Sequence, residues 1–293
     1  MKKYIFLLFF TYLHLFAIEP FIKPTELQNI IEDKNLLIID VSDYSLYKKG
    51  HILHSLHFDV STLVAKQNNP YMLPDTPQNV QNKLKELGIN KDTDIVIYSH
   101  NSQKGLFDST YLAFVLIQNG VKNISILDGG YMGWVFQNDL LVSQEKNSPA
   151  TKGDFDFYYN KNMLVDYKYV QQNQQSATIL DAREPSQYFG VQRSKSTQKT
   201  GHIPTAQCGY YKYSFLSDFT IRDDEDLKAI YTDGFNLDTN SPIIIYADDI
   251  YQASVLWYIV YKKMGFENTK LYGASLKEWV DIPTLKLEKF KWH

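Results

Sequence analysis

Blocks of apolar residues too short for helices recur along this chain. Residues 36–40, 95–98, 124–127, 178–181, 243–246 and 269–272 are rich in Ile, Leu, Val and Tyr. Short apolar runs of this kind read as strands covered on both faces. Longer stretches with helical spacing separate them. After Ala253, for example, Val255, Leu256, Ile259 and Val260 fall on one side of a helix. Helical stretches close at Gly120 and Gly265, the residue type that a helix C-terminus favours. Strands alternating with helices predict a mainly parallel sheet covered on both faces. Ligands of such sheets bind beyond the carboxyl ends of the strands. The loops after Tyr98 and Tyr246 lie at those ends.

The pattern occurs twice. LLIIDVSDYSLYKKGHI at 36–52 is echoed by ATILDAREPSQYFG and a later GHI within 177–203. DIVIYSHNSQKG at 94–105 is echoed by PIIIYADDIYQA at 242–253, and NGVKNISILDGGYMGW at 119–134 by MGFENTKLYGASLKEW at 264–279. The offsets are 141 residues for Asp40 and Asp181, 148 for Tyr98 and Tyr246, and 145 for Trp134 and Trp279. A repeat of this length implies two copies of one domain. The polar stretch 143–152, with Pro149 inside it and Gly153 after it, reads as the connection. The expected division is a leader at 1–17, a first domain at 18–142, a linker at 143–153 and a second domain at 154–293.

Composition narrows the class. Of 293 residues, 44% are hydrophobic and 22% charged, as in globular proteins. A formal charge of −3 offers nucleic acid no basic surface. Lys2 and Lys3 precede an apolar run at 4–16, broken only by Thr11 and His14, and Ala17 precedes Ile18-Glu19-Pro20. This is the layout of a secretory signal peptide, so the protein is expected to be exported to the periplasm. The run falls short of the ~20 apolar residues of a membrane span. An uncleaved anchor is the alternative. Loss of Lys2 and Lys3 with the leader takes the charge from −3 to −5. A single cysteine, Cys208, leaves no internal disulfide.

Several short elements then point to a family. Asp181-Ala182-Arg183 is followed by Tyr188 and Gly190, then by Gly201-His202-Ile203-Pro204. Leu127-Asp128-Gly129-Gly130 with Trp134 matches Leu271-Tyr272-Gly273-Ala274-Ser275 with Glu278-Trp279. In this order, and twice over, they resemble the tandem rhodaneses, the thiosulfate sulfurtransferase family. The likeness covers nearly all of the chain after the leader. It implies an α/β fold of two rhodanese-like domains, each a mainly parallel sheet flanked by helices, with no cofactor. It also implies a cysteine directly after the central strand of the second domain, with a six-residue loop around it whose N–H groups face the sulfur. Thiosulfate passes its outer sulfur to that thiolate, and an acceptor such as cyanide or a thiol removes it. Such a thiolate needs a lowered pKa, and a dianionic donor needs N–H groups and cations.

Carried over residue by residue, the cysteine position is Ala247 and the loop is Ala247, Asp248, Asp249, Ile250, Tyr251 and Gln252. A family arginine that helps to bind the anion corresponds to Gln187. Nucleophile, cradle charge and anion clamp are all replaced, so the expectation is a degenerate member. In the first domain the equivalent position is Ser99, in keeping with the family's non-catalytic half, and His100 follows it.

Two other readings stay open. Cys208 is read as a small buried hydrophobe, with an active sulfurtransferase using it, or an unusual mechanism, as the alternative. A periplasmic protein-binding or scaffold module is the other, suggested by 22 tyrosines, several of them clustered at 158–213. A small sulfur anion or a periplasmic protein is the expected partner, no nucleic acid is expected, and no oligomeric state is assigned. Asp181, Arg183 and His202 are read as structural. His51, His54 and His57 do not converge in an extended or turning segment, so no metal is expected.

Overall fold

The computed structural model describes residues 18–100, 103–137, 142–145, 147, 151–194 and 197–293. The expected leader at 1–17 and part of the expected linker, Pro149 included, lie outside the described residues.

The first half runs β1 (Phe21–Ile22), α1 (Pro24–Ile30), β2 (Leu36–Asp40), α2 (Tyr44–Tyr47), β3 (His51–Ile52), β4 (Leu56–His57), α3 (Pro77–Lys85), β5 (Asp94–Tyr98), α4 (Gln103–Gln118), β6 (Ile124–Leu127), α5 (Gly130–Val135) and β7 (Val142–Ser143). The second runs β8 (Leu164–Val165), α6 (Tyr167–Asn173), β9 (Thr178–Asp181), α7 (Pro185–Phe189), β10 (Gln207–Cys208), α8 (Asp224–Lys228), β11 (Ile243–Tyr246), α9 (Ile250–Trp257), β12 (Thr269–Tyr272) and α10 (Ser275–Asp281). Two five-stranded sheets result, in the orders β1-β6-β5-β2-β4 and β8-β12-β11-β9-β10. Every neighbouring pair in both is parallel. The repeat is therefore topological as well as sequential.

Register carries the repeat to the site. Asp40 pairs with Tyr98 and Asp181 with Tyr246, so an aspartate and a tyrosine end adjacent central strands in each half. The loops that follow Tyr98 and Tyr246 leave from the same place.

Helix α4 of the first half packs against α9 of the second. Tyr111 stacks on Tyr251 at 4.2 Å, and Phe114 meets Trp257 edge-on at 4.8 Å. Buried Thr110 and Ser254 hydroxyls hydrogen-bond at 2.8 Å. One apolar core spans both halves, so burial joins them, with hydrogen bonds such as Gln103 to the Tyr211 hydroxyl and the Tyr258 hydroxyl to the Pro20 carbonyl crossing the same boundary.

The central strands fall where the apolar runs predict them. The two-residue edge strands β1, β4, β8 and β10 carry too few residues to set a pattern. His51 of the first Gly-His-Ile element pairs antiparallel with Ser143, so the polar stretch after 142 returns to the first half as a strand. Farther on, the N–H groups of Gly153, Phe155 and Tyr158 donate to Lys85, Ile89 and Asn119 carbonyls.

Candidate functional site

The loop after β11 is shorter than its family outline. Asp249 accepts the Gln252 N–H at 3.0 Å and caps α9, which starts at Ile250. An aspartate at this place favours helix initiation. Ala247, Asp248 and Asp249 alone remain as loop, and Ile250, Tyr251 and Gln252, expected to curl around a sulfur, form the first helical turn.

Within that loop the chain's own side chains accept two of the N–H groups. Ala247 N–H donates to the Ser275 hydroxyl at 3.2 Å, and Asp248 N–H to the Gln252 side-chain oxygen at 3.4 Å. The Ala247 carbonyl accepts from Leu276 at 2.9 Å. The Ala247 methyl is fully buried and packs in the shared apolar core.

Asp248 turns inward. Its carboxylate accepts from the Ser194 hydroxyl and lies 3.7 Å from the Arg183 guanidinium. Burial raises its pKa, and Arg183 and Ser194 oppose that rise. Arg183 is itself buried and held by Asp181 at 2.6 Å, with a further bond to the Gly201 carbonyl at 2.8 Å. Asp181 also accepts the Tyr246 hydroxyl at 2.7 Å. The Arg183 guanidinium beside the loop is therefore hydrogen-bonded to one carboxylate and a carbonyl, with the Asp248 carboxylate in ion-pair range. Gln187 lies in α7, with its N–H on the Glu184 carbonyl.

The other expected site residues scatter. Cys208 sits on edge strand β10, in register with Asp181. Burial, with the Asp181 charge behind it, pushes its thiol up to about 11. His202 is buried, and its Nδ1–H donates to the Tyr188 carbonyl at 2.8 Å. His51 repeats that bond to Tyr47 at 2.9 Å, His54 lies 3.4 Å from Glu32, and His57 bonds the Ser42 carbonyl at 2.7 Å. Those three rings find three different partners.

In the first half His100 turns to Asp40 at 3.7 Å and stacks on Tyr131 at 4.0 Å. The His100 backbone N–H donates to the Ser42 hydroxyl at 2.8 Å. Ser99 lies under α4, where a Cβ at Gly105 would come 2.2 Å from the Ser99 hydroxyl, so only glycine fits there.

The cleft between the halves is lined by carboxylates of which sequence reasoning named only Asp249. It encloses about 570 Å³ and is lined by Asp43, Asp59 and Asp108 of the first half and Asp249 and Tyr251 of the second, with Tyr44, Phe107 and Lys104. Lys104 is paired with Asp108 at 2.7 Å and with Asp43 at 3.4 Å. These carboxylates are dispersed over four elements, so no motif announces them.

The comparisons with known proteins agree with the repeat. A profile described as "Rhodanese-like domain" matches residues 23–137 and again 166–282. A 3-mercaptopyruvate sulfurtransferase of Escherichia coli O157:H7 is 27% identical over 249 residues, spanning 84% of this chain and 85% of its own length. The sulfur carrier protein TtuD of Thermus thermophilus is 24% identical over 279 residues, 89% of this chain and 95% of its own. The crystal structure of YnjE superposes with a TM-score of 0.81 at 17% identity, covering 93% of this chain and 68% of that one.

Proposed function

We infer that this chain, which belongs to the rhodanese family, is a tandem sulfurtransferase fold that no longer forms a persulfide in its second-half loop, and that it acts after export. One observation carries the reading. The cradle that would hold a sulfur anion is partly taken up from within: Ser275 and Gln252 accept the Ala247 and Asp248 N–H groups, and the Asp248 carboxylate lies 3.7 Å from the Arg183 guanidinium. With alanine at 247, no lone pair is left to attack a sulfur donor. Cys208 does not replace it, because the thiolate is the nucleophile and burial disfavours that form. Export rests on the sequence of residues 1–17.

The chain's relatives are named for sulfur transfer, so the test is direct. Purified protein given thiosulfate and cyanide is expected to yield thiocyanate at the background rate. Turnover above background, lost in Cys208→Ser, would overturn the reading in favour of sulfur carriage on that residue. Mass spectrometry after thiosulfate treatment reports the same choice as one added sulfur on Cys208.

A second reading, a binding module, is favoured by the cleft between the halves. Four carboxylates face it against one ammonium, and like charge repels a sulfur dianion. A cationic group meets both the carboxylates and the aromatic faces of Tyr44, Phe107 and Tyr251. Calorimetry at low salt is expected to show no heat of binding for thiosulfate. Saturable thiosulfate binding that Asp249→Ala strengthens only slightly would sink this charge argument.

A further inference from the structure

The segment after α10 returns to the second domain and brings two ligand-type side chains to His202. Backbone bonds in both directions join His202 to Glu288, each 2.9 Å long. The approach depends on Gly201, at φ +110°, where a Cβ would lie 2.2 Å from the Glu288 carbonyl. Phe290 N–H bonds the Phe189 carbonyl at 2.9 Å, and Trp292 stacks on Phe189 at 5.1 Å and on Tyr188 at 5.2 Å. Four aromatic side chains thereby fix the position of His293.

Three ligand atoms then converge. The His202 Nδ1–H is committed to the Tyr188 carbonyl, so the neutral ring turns its Nε2 lone pair the other way. That buried Nε2 has no hydrogen-bond partner. It faces Glu288 Oε2 at 3.8 Å, and His293 Nε2 lies 2.6 Å from the same oxygen. All three atoms are within 4.8 Å of one another. A lone pair facing a carboxylate is repulsive unless a cation lies between them. The backbone bond at Nδ1 is the outer-sphere contact that orients a metal-bound histidine.

We propose that His202 Nε2, Glu288 and His293 Nε2 bind Zn²⁺ or a similar first-row divalent ion, clipping the segment 285–293 onto the second domain. Two imidazoles and one carboxylate suit zinc with a fourth position open, at metal–ligand distances of about 2.0–2.2 Å. Tetrahedral ligands at those distances stand roughly 3.4 Å apart. The His202–Glu288 pair needs to close slightly, and the Glu288–His293 pair needs to open as its bridging proton leaves. The first half supplies a control. His51 has the same bond from Nδ1 to Tyr47 and the same unpartnered Nε2, yet no second and third ligand join it among the described residues. The unpartnered nitrogen is thus common to both domains, and the ligand pair is particular to the second.

The test uses untagged, chelator-treated full-length protein titrated with ZnCl₂. One Zn²⁺ per chain and a raised melting temperature are expected. Glu288→Gln and His293→Ala, both at the surface, should each weaken zinc binding by about tenfold or more, while His54→Ala leaves it unchanged. Co²⁺ in place of zinc should give a tetrahedral visible band that His293→Ala abolishes. No binding by the wild-type protein, or equal binding by wild type and both site variants, would overturn the proposal.

Discussion

Asp40 and Asp181 end equivalent strands, each paired in register with a tyrosine, and the two halves surround them differently. In the second half the cation is Arg183, two residues beyond the aspartate, and the loop residue two beyond the tyrosine is Asp248. In the first half the position two beyond the aspartate is Ser42, and the residue two beyond the tyrosine is His100, whose ring approaches Asp40. A buried guanidinium faces the aspartate in the second half, and an imidazole whose pKa burial lowers faces it in the first. Tyr131 N–H reaches the Ser99 carbonyl as Leu276 N–H reaches that of Ala247, at 2.9 Å in both cases. The first residue of each loop therefore accepts the same kind of backbone bond while the side chains differ. In each half a loop residue turns toward the buried groups at the strand end. A loop so engaged has less to offer an anionic substrate.

The largest expected effect comes from breaking the second-half pair. Arg183→Met leaves Asp181 and Asp248 facing each other without a cation. It should cost about 3–5 kcal/mol of stability, the range for an orphaned buried charge, read from urea unfolding. A loss below about 1 kcal/mol would mean that solvent or protonation already relieves the carboxylates. A sharper version transplants the first-half arrangement. Arg183→Ser with Asp248→His should lose less than Arg183→Ser alone, because residues in one network couple. Equal losses would show that the two halves are not interchangeable solutions.

A smaller effect follows from His100. Burial lowers its pKa from 6.5 despite the nearby Asp40. Asp40, His51 and Tyr131 are the titratable groups around it. Because the folded pKa is depressed, the unfolded chain takes up this proton first. The contribution of His100 is complete above pH 6.5 and is lost as the pH falls through the folded pKa. Between pH 6.5 and about 5.5, above the carboxylate range, unfolding midpoints should fall, and His100→Gln should flatten that decline. An equal slope in wild type and variant would place the neutral imidazole in doubt.

The fold was legible because its signals are long-range and redundant. Six apolar runs, two Gly-His-Ile elements and two buried tryptophans repeat in one order, so a weak match at any position is corrected by its twin. The site was legible only by subtraction. Alanine at 247 removes a nucleophile whatever the geometry, but nothing in the string ADDIYQ says that Asp249 starts a helix at Ile250, since an N-cap and a loop aspartate look alike in sequence. Ser194 and Ser275, which engage Asp248 and Ala247, lie 54 and 28 residues from them. Contacts at that separation leave no periodic trace. Glu288 and His293 were missed for the same reason: their partner His202 belongs to a motif that reads as structural in both halves.

The smallest expected effect concerns Cys208, whose counterpart in register is His57 of the first half: Cys208 pairs with Asp181 as His57 pairs with Asp40. His57 is partly buried and bonds the Ser42 carbonyl. Cys208 has a thiol pushed up to about 11 by burial and by Asp181. At pH 8 such a thiol is roughly one part in a thousand thiolate, against about a quarter for an ordinary cysteine. Alkylation by iodoacetamide should therefore run roughly a hundredfold slower in the native protein than in urea. Cys208→Ser should change stability by less than about 1 kcal/mol. The two measurements separate a quiet packing residue from a sulfur carrier. A packing residue reacts slowly and is replaceable. A carrier needs a thiolate at working pH, and rapid native alkylation would show that the Asp181 charge is better compensated by Arg183 than the burial of this strand edge implies.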